Sequence, residues 1–306
     1  MLNWFSGDGI MGPALNYLKS VPKDHLQCLQ SSKYYKYKRD GILGGLRSPH
    51  TVRTKLVVVS QDCLEAAIDL SSDVRSIPAV LNMANEYNCG GGFCSIHGSQ
   101  EEYLFRNTSL SASLWPHRRS TDQRWPQGSD LLGCAEEAYY PLTECGGIYS
   151  PQVEVFASRD KPLDRVYKIA ALSIAAQDLR TGRSYNSGAT FDFGLLLGKL
   201  RTLLLMAEEN GHRILVLGAI GCGAFRNPPE MVARAFQLLL GEGGEFAGRF
   251  DIVAFAIILS AHNLRTFEAA FGPAVPRAAA LLDSLLPSPR QSSGNSAAAA
   301  PGTAAT

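Results

Sequence analysis

A series of short apolar runs, each followed by a turn or a helix start, organises the middle of this chain. They are TKLVVVS at 54–60, the run at 78–83, those at 153–157 and 166–175, ILVLGA at 214–219, and the run at 250–259. Each is far shorter than the ~20 apolar residues that span a bilayer, and each reads as a strand, those at 54–60, 166–175 and 214–219 as buried ones. Helical segments alternate with them. Asp62-x-x-Glu65 is a capping box that opens a helix through Leu70. Further helices are predicted at 101–114, at 191–210 with Gly211 as a C-terminal stop, at 230–240 behind an Asn227 N-cap and two prolines, and at 263–271. Strands that alternate with helices in this way imply a three-layer α/β domain with a mostly parallel central sheet flanked by helices.

The most informative stretch lies at 80–110. The run at 78–83 ends in Asn82, with Asn85 just beyond, and leads to Gly90-Gly91-Gly92. Gln100-Glu101-Glu102 follows at the head of a helix. Consecutive glycines admit positive φ, let a ligand approach without meeting a Cβ, and offer N–H groups to an anion. Neighbouring helical residues point ~100° apart. Glu101 and Glu102 are therefore expected to divide the work, one orienting a substrate and the other moving a proton.

A second glycine loop follows ILVLGA: Gly221-Cys222-Gly223-Ala224-Phe225-Arg226-Asn227-Pro228-Pro229. A strand, a glycine-rich turn and a helix N-terminus form a phosphate site by geometry. Arg226 stands where GxGxxG needs its third glycine, and no GxxxxGK[ST] occurs, so a dinucleotide fold and a P-loop are both unsupported. What remains is a loop that can wrap a diphosphate, with Phe225 placed to stack on a base or ribose, or else a tight turn with a core phenylalanine.

The glycine triplet, the spacer from Phe93 to Ser99 and the Gln-Glu-Glu together resemble the signature of poly(ADP-ribose) glycohydrolases. The second loop is similar to the diphosphate loop of macrodomains, and Gly147-Ile148-Tyr149-Ser150-Pro151 and Ala175-Ala176 extend the likeness. The resemblance is to the short, microbial type and covers about residues 54–261. It implies a macrodomain-like fold with a mixed sheet. It implies an enzyme that cuts ribose–ribose O-glycosidic bonds in poly(ADP-ribose) and releases ADP-ribose. Glu102 would be the acid and then the base, and Glu101 would hold a hydroxyl of the distal ribose beside Asn85. Gly90, Gly91, Gly92, Gln100, Gly221, Cys222, Gly223, Ala224 and Phe225 would bind substrate. The substrate partner is the polymer or an ADP-ribosylated protein, with no cofactor, metal, DNA or membrane required. A mono-ADP-ribosyl hydrolase and a reader that binds ADP-ribose without cutting it are the alternatives; the two glutamates favour an enzyme. Cys89 departs from the family, where proline is common before the triplet, and the spacer is poorer in small residues. His97 reads as an ordinary loop histidine.

The 306 residues suit one large domain or two small ones, and 45% hydrophobic content supplies a sizeable core. A formal net charge of +1 gives no global field for nucleic acid, so an acidic polymer has to be held locally. The 7 cysteines show no CxxC pair. Without a secretion signal they read as reduced thiols of an intracellular protein, cytoplasmic or nuclear. The expected division is an N-terminal extension at 1–50 packing on the core, the catalytic domain at 51–286 and a disordered tail at 287–306. The basic aromatic run at 33–39 reads as a solvated strand or loop with snorkelling lysines rather than a nucleic-acid surface. The polar segment at 115–133, with Arg118, Arg119, Arg124 and Trp125, reads as a long surface loop, a lid or an insert.

Overall fold

The computed structural model describes residues 11–36, 53–71, 77–95, 98–124, 130–180 and 190–284. The expectations for the tail at 287–306, for His97 and for Trp125 lie outside the described residues.

Seven strands form one sheet in the order β1-β4-β5-β3-β6-β7-β2. They are β1 (Lys33–Lys36), β2 (Lys55–Val59), β3 (Ala79–Ala84), β4 (Gly146–Ser158), β5 (Lys161–Ala175), β6 (Ile214–Leu217) and β7 (Ile252–Ala256). Pairs β5–β3, β3–β6, β6–β7 and β7–β2 are parallel, and β4 is antiparallel to both β1 and β5. The sheet is therefore mixed and mostly parallel, as the alternation of elements implies.

The sequence runs look continuously apolar because both faces of the sheet are covered. Val80, Val216 and Ala254 point into one core with helices α1 (Gly12–Ser20), α2 (Lys23–Leu29), α3 (Cys63–Leu70), α4 (Gln100–Asn107) and α5 (Leu110–Leu114). Their neighbours Leu81, Leu215 and Val253 point into the other with α6 (Phe193–Glu209), α7 (Pro229–Leu240) and α8 (Ala261–Phe271). The period of two along each strand thus gives three layers. Residues 11–29 share the first core, through Ala14, Leu18, Leu26 and Leu29. Lys33–Lys36 is the edge strand β1; Tyr35 is buried and Lys33 and Lys36 stay exposed over the rings of Tyr35 and Tyr34. Lysines on an edge also discourage pairing with another chain.

Three expectations need correction. The helix expected at 101–114 is broken into α4 and α5. Thr108 is extended at φ −139° and bridges Val155, its hydroxyl takes the carbonyl of Leu104, and the N–H of Ser109 takes the carbonyl of Glu154. Pairing with β4 outweighs helical continuity there. The described part of the segment at 115–133, residues 115–124 and 130–133, is not simply a surface loop. Trp115 and Asp122 are buried, and Arg118 donates to the carbonyls of Trp115, Asp122 and Gly133, so arginine donors satisfy a backbone that composition alone assigns to water. Asn227 does not cap α7, whose N-cap position is Pro228 without a side-chain bond; its amide is spent on the preceding loop. Elsewhere Asp62 caps α3 as expected, accepting from the N–H groups of Leu64 and Glu65. The carboxylate of Glu65 turns to Arg159 at 2.6 Å.

Among the described residues no helix is long and apolar enough to cross a membrane. All seven cysteines are free thiols.

Candidate active site

The carboxyl ends of adjacent parallel strands are where open α/β sheets gather ligand loops. Here β3 and β6 are neighbours, and each runs directly into one of the glycine loops read from the sequence.

After β3 the chain turns at once. Asn85 Oδ1 accepts from the N–H groups of Tyr87 and Asn88 at 2.9 and 2.8 Å, an Asx turn that starts the loop. Gly91 N–H donates to Asn88 O, Phe93 N–H to Gly90 O and Ser95 N–H to Gly92 O. Gly90 and Gly91 sit at φ +70° and +58°. A Cβ on Gly90 would lie 2.3 Å from the Phe105 ring, and one on Gly91 would lie 2.4 Å from Glu102 Oε1 and 2.8 Å from Glu101 Oε2. Glycine is required at both positions for conformation and for space.

That crowding brings the loop onto the two carboxylates. Glu101 Oε2 accepts the N–H of Asn85 at 2.8 Å, and Glu102 Oε1 accepts the N–H of Gly92 at 2.7 Å. Both side chains are buried, at 2% and 5% exposure. Glu101 Oε1 and Glu102 Oε2 are also buried, and neither has a hydrogen-bond partner among the described residues. Each carboxylate is therefore held through one oxygen, while the second meets no partner at hydrogen-bond geometry; the Asn82 side chain and the Gly90 N–H still lie close enough to Glu101 to favour its charged form. Burial pushes the Glu101 carboxyl well above the usual carboxylate range, and the charge of Glu102 adds to this; the Asn85 N–H opposes it.

Gln100 has a fastening task. Its Oε1 accepts the N–H of Met83 at 2.9 Å and its Nε2 donates to Leu81 O at 2.5 Å, so the first residue of α4 is stitched to β3. Asn82, fully buried, donates to Ser173 Oγ at 3.0 Å across the β3–β5 pairing.

Sequence reasoning did not single out the residues that hold the loop from outside. Arg124 donates to the carbonyls of Gly91 and Cys89 and is gripped by Asp122 at 2.6 and 2.8 Å. Arg119 adds a bond to Asn88 Oδ1 at 3.1 Å. The only sequence signal was a cluster of arginines in a segment of otherwise loop-like composition. Burial alone would raise the Asp122 carboxyl, but the Arg124 hydrogen bonds and charge hold it below its ordinary range.

The second loop is built similarly. Gly221, at φ +73°, leaves no room for a Cβ, which would meet Ala176 and Asn227 at 2.6 and 2.7 Å. Asn227 Nδ2 donates to Gln177 O at 2.6 Å and reaches the carbonyls of Gly221 and Phe225 at 3.3 and 3.4 Å. The Leu179 N–H takes Phe225 O at 3.0 Å, so the loop after β6 is tied to the chain leaving β5. Cys222 is half-buried, Gly223 and Ala224 are exposed, and Phe225 is half-buried with the Arg180 guanidinium 4.8 Å over its ring. Among the described residues no group of three or more His, Cys, Asp or Glu side chains converges as a metal cage.

A poly(ADP-ribose) glycohydrolase from Thermomonospora curvata is 32% identical, with a TM-score of 0.66 over 86% of this chain and 96% of its own. The chain belongs to the poly(ADP-ribose) glycohydrolase family. The microbial-type PARG catalytic domain matches residues 18–158, which include the whole glycine–glutamate signature. The Thermomonospora glycohydrolase bound to the inhibitor ADP-HPD is similar at a TM-score of 0.63 and 32% identity, over the same shares of both chains. The Deinococcus radiodurans glycohydrolase in complex with ADP-ribose is similar at 0.60 and 28% identity, over 82% of this chain and 97% of its own. No curated protein sequence matches. The family match begins at Leu18, within α1, and ends at Ser158, the last residue of β4.

Proposed function

We propose that this chain hydrolyses the ribose–ribose O-glycosidic bonds of poly(ADP-ribose) and releases ADP-ribose. One observation carries the reading: Glu101 and Glu102 lie side by side, buried, each held through one oxygen by a backbone N–H of the loop after β3, of Asn85 and of Gly92, and each with a second oxygen that meets no hydrogen-bond partner among the described residues. A module that only reads ADP-ribose has no use for a second buried carboxylate, whose desolvation disfavours its charge.

Glycosidic cleavage needs a proton on the leaving oxygen while positive charge grows on the sugar. Glu102 Oε2 donates that proton to the oxygen of the leaving ribose, the bond to the anomeric carbon breaks, and the carboxylate left behind draws a proton from the water that adds to that carbon. Glu101 binds a hydroxyl of the distal ribose, with Asn85 beside it. Because burial already favours the protonated form of Glu101, the pair avoids two adjacent negative charges. The loop at 221–225 encloses the diphosphate with backbone N–H groups, and Phe225 stacks on the nucleoside. The phosphate charge in turn favours the cationic sugar.

The test is release of ADP-ribose from automodified polymer by wild type and by Glu102→Gln, with ADP-ribose binding measured for both. Wild type that cuts, beside a variant that binds but does not cut, supports the reading. Wild type that binds ADP-ribose and leaves polymer intact overturns it and turns attention to mono-ADP-ribosylated substrates.

A further inference from the structure

We propose that Asp122 and Arg124 form a positioning pair for Glu102, acting through the single peptide group between Gly91 and Gly92. The inference rests on the reading of Glu102 as the proton carrier.

The carbonyl of Gly91 and the N–H of Gly92 belong to one planar amide and point to opposite sides of it. On one side Arg124 donates to the Gly91 oxygen; on the other the Gly92 N–H donates to Glu102 Oε1 at 2.7 Å. The guanidinium, the amide and the carboxylate are thus in series. A cation on the amide oxygen polarises the amide and strengthens the bond its N–H makes. It also fixes the plane of an amide whose first residue is left-handed at φ +58°.

Arg124 is itself held by several partners. Asp122, 7% exposed, takes Nε and Nη2; Cys89 O takes Nη2 at 2.9 Å; the guanidinium lies 5.1 Å over the Phe93 ring. Phe93 is fully buried between Phe105 and Trp115. Arg118 donates to the Asp122 carbonyl at 3.2 Å and so anchors the segment that brings this pair across. Arg124 makes four bonds from three nitrogens spread along a planar fork, whereas an ammonium carries three donors on one atom, so lysine cannot reproduce the arrangement. The Arg124 side chain is 31% exposed, which leaves an approach for a small cation once the side chain is removed.

The experiment compares wild type, Arg124→Ala, Arg124→Lys and Asp122→Asn for kcat and KM on polymer and for ADP-ribose binding, with and without millimolar guanidinium. Arg124→Ala is expected to lose ~10²-fold in kcat, the scale of a small misplacement at a reacting group, with ADP-ribose affinity largely kept. Guanidinium recovers part of that loss, Arg124→Lys does not restore it, and Asp122→Asn shows a smaller fall in kcat at unchanged KM. Wild-type kcat in Arg124→Ala overturns the proposal, and so does a loss that guanidinium leaves untouched while ADP-ribose binding disappears. If Arg124→Ala does not fold, wild-type kcat in Asp122→Asn overturns it. An inactive wild type overturns the glycohydrolase reading as well, whereas an active wild type with equally active variants overturns this inference alone.

Discussion

The backbone N–H of Gly92 lies 2.7 Å from Glu102 Oε1, so the glycine loop and the helix that follows it close on each other. The hydrogen bond fixes one carboxylate oxygen, while Oε2 meets no hydrogen-bond partner among the described residues. If Glu102 is the proton carrier proposed above, Glu102→Gln keeps the shape and removes the transferable proton. Steady-state release of ADP-ribose should fall ~10²–10⁴-fold, the usual contribution of a general acid, while ADP-ribose binding by calorimetry stays close to wild type. Activity near wild type would show that the proton comes from elsewhere.

Gly91→Ala tests the same contact from the loop side. The new methyl would lie 2.4 Å from Glu102 Oε1 on a residue at φ +58°. The expected result is a loss of about 1–3 kcal/mol in denaturant unfolding, from left-handed strain, together with a fall in kcat as the carboxylate is pushed aside. An alanine variant with unchanged kcat would mean that the loop relaxes without moving Glu102.

Glu101 makes stability depend on pH. Burial raises its carboxyl in the folded protein, so the folded state holds that proton more tightly than the unfolded chain. The contribution is fully present below the ordinary carboxylate range and is lost as pH rises through the raised folded value. Relative to wild type, Glu101→Gln should therefore gain stability steadily from acid to neutral pH. Urea unfolding of both proteins across that window reads the slope, and parallel curves would refute the assignment.

Phe225→Ala addresses the second loop. The ring is half-buried and carries Arg180 at 4.8 Å on one face. If it stacks on the nucleoside, its removal should weaken ADP-ribose binding by ~1–3 kcal/mol, the range for aromatic stacking on a base, with a smaller effect on kcat at saturating polymer. Unchanged affinity would return Phe225 to the core of the turn.

Much of this protein is legible without coordinates because its information is local. Buried parallel strands announce themselves as apolar runs, and Asp62 caps α3 through N–H groups two and three residues away. Gly90 and Gly91 answer a conformational demand that any glycine-rich turn displays. The order of the elements therefore determined the layers, and the spacing of glycines and glutamates determined the family. Tertiary structure decided what depends on partners distant in sequence. Thr108 leaves the helix because β4 offers it a pairing 47 residues on, and Asn227 abandons its cap for Gln177, 50 residues back. Arg124 becomes part of the glycine loop's support by reaching Gly91 across 33 residues. Composition scores such a segment by its average affinity for water, whereas the fold scores each donor by the carbonyl it meets.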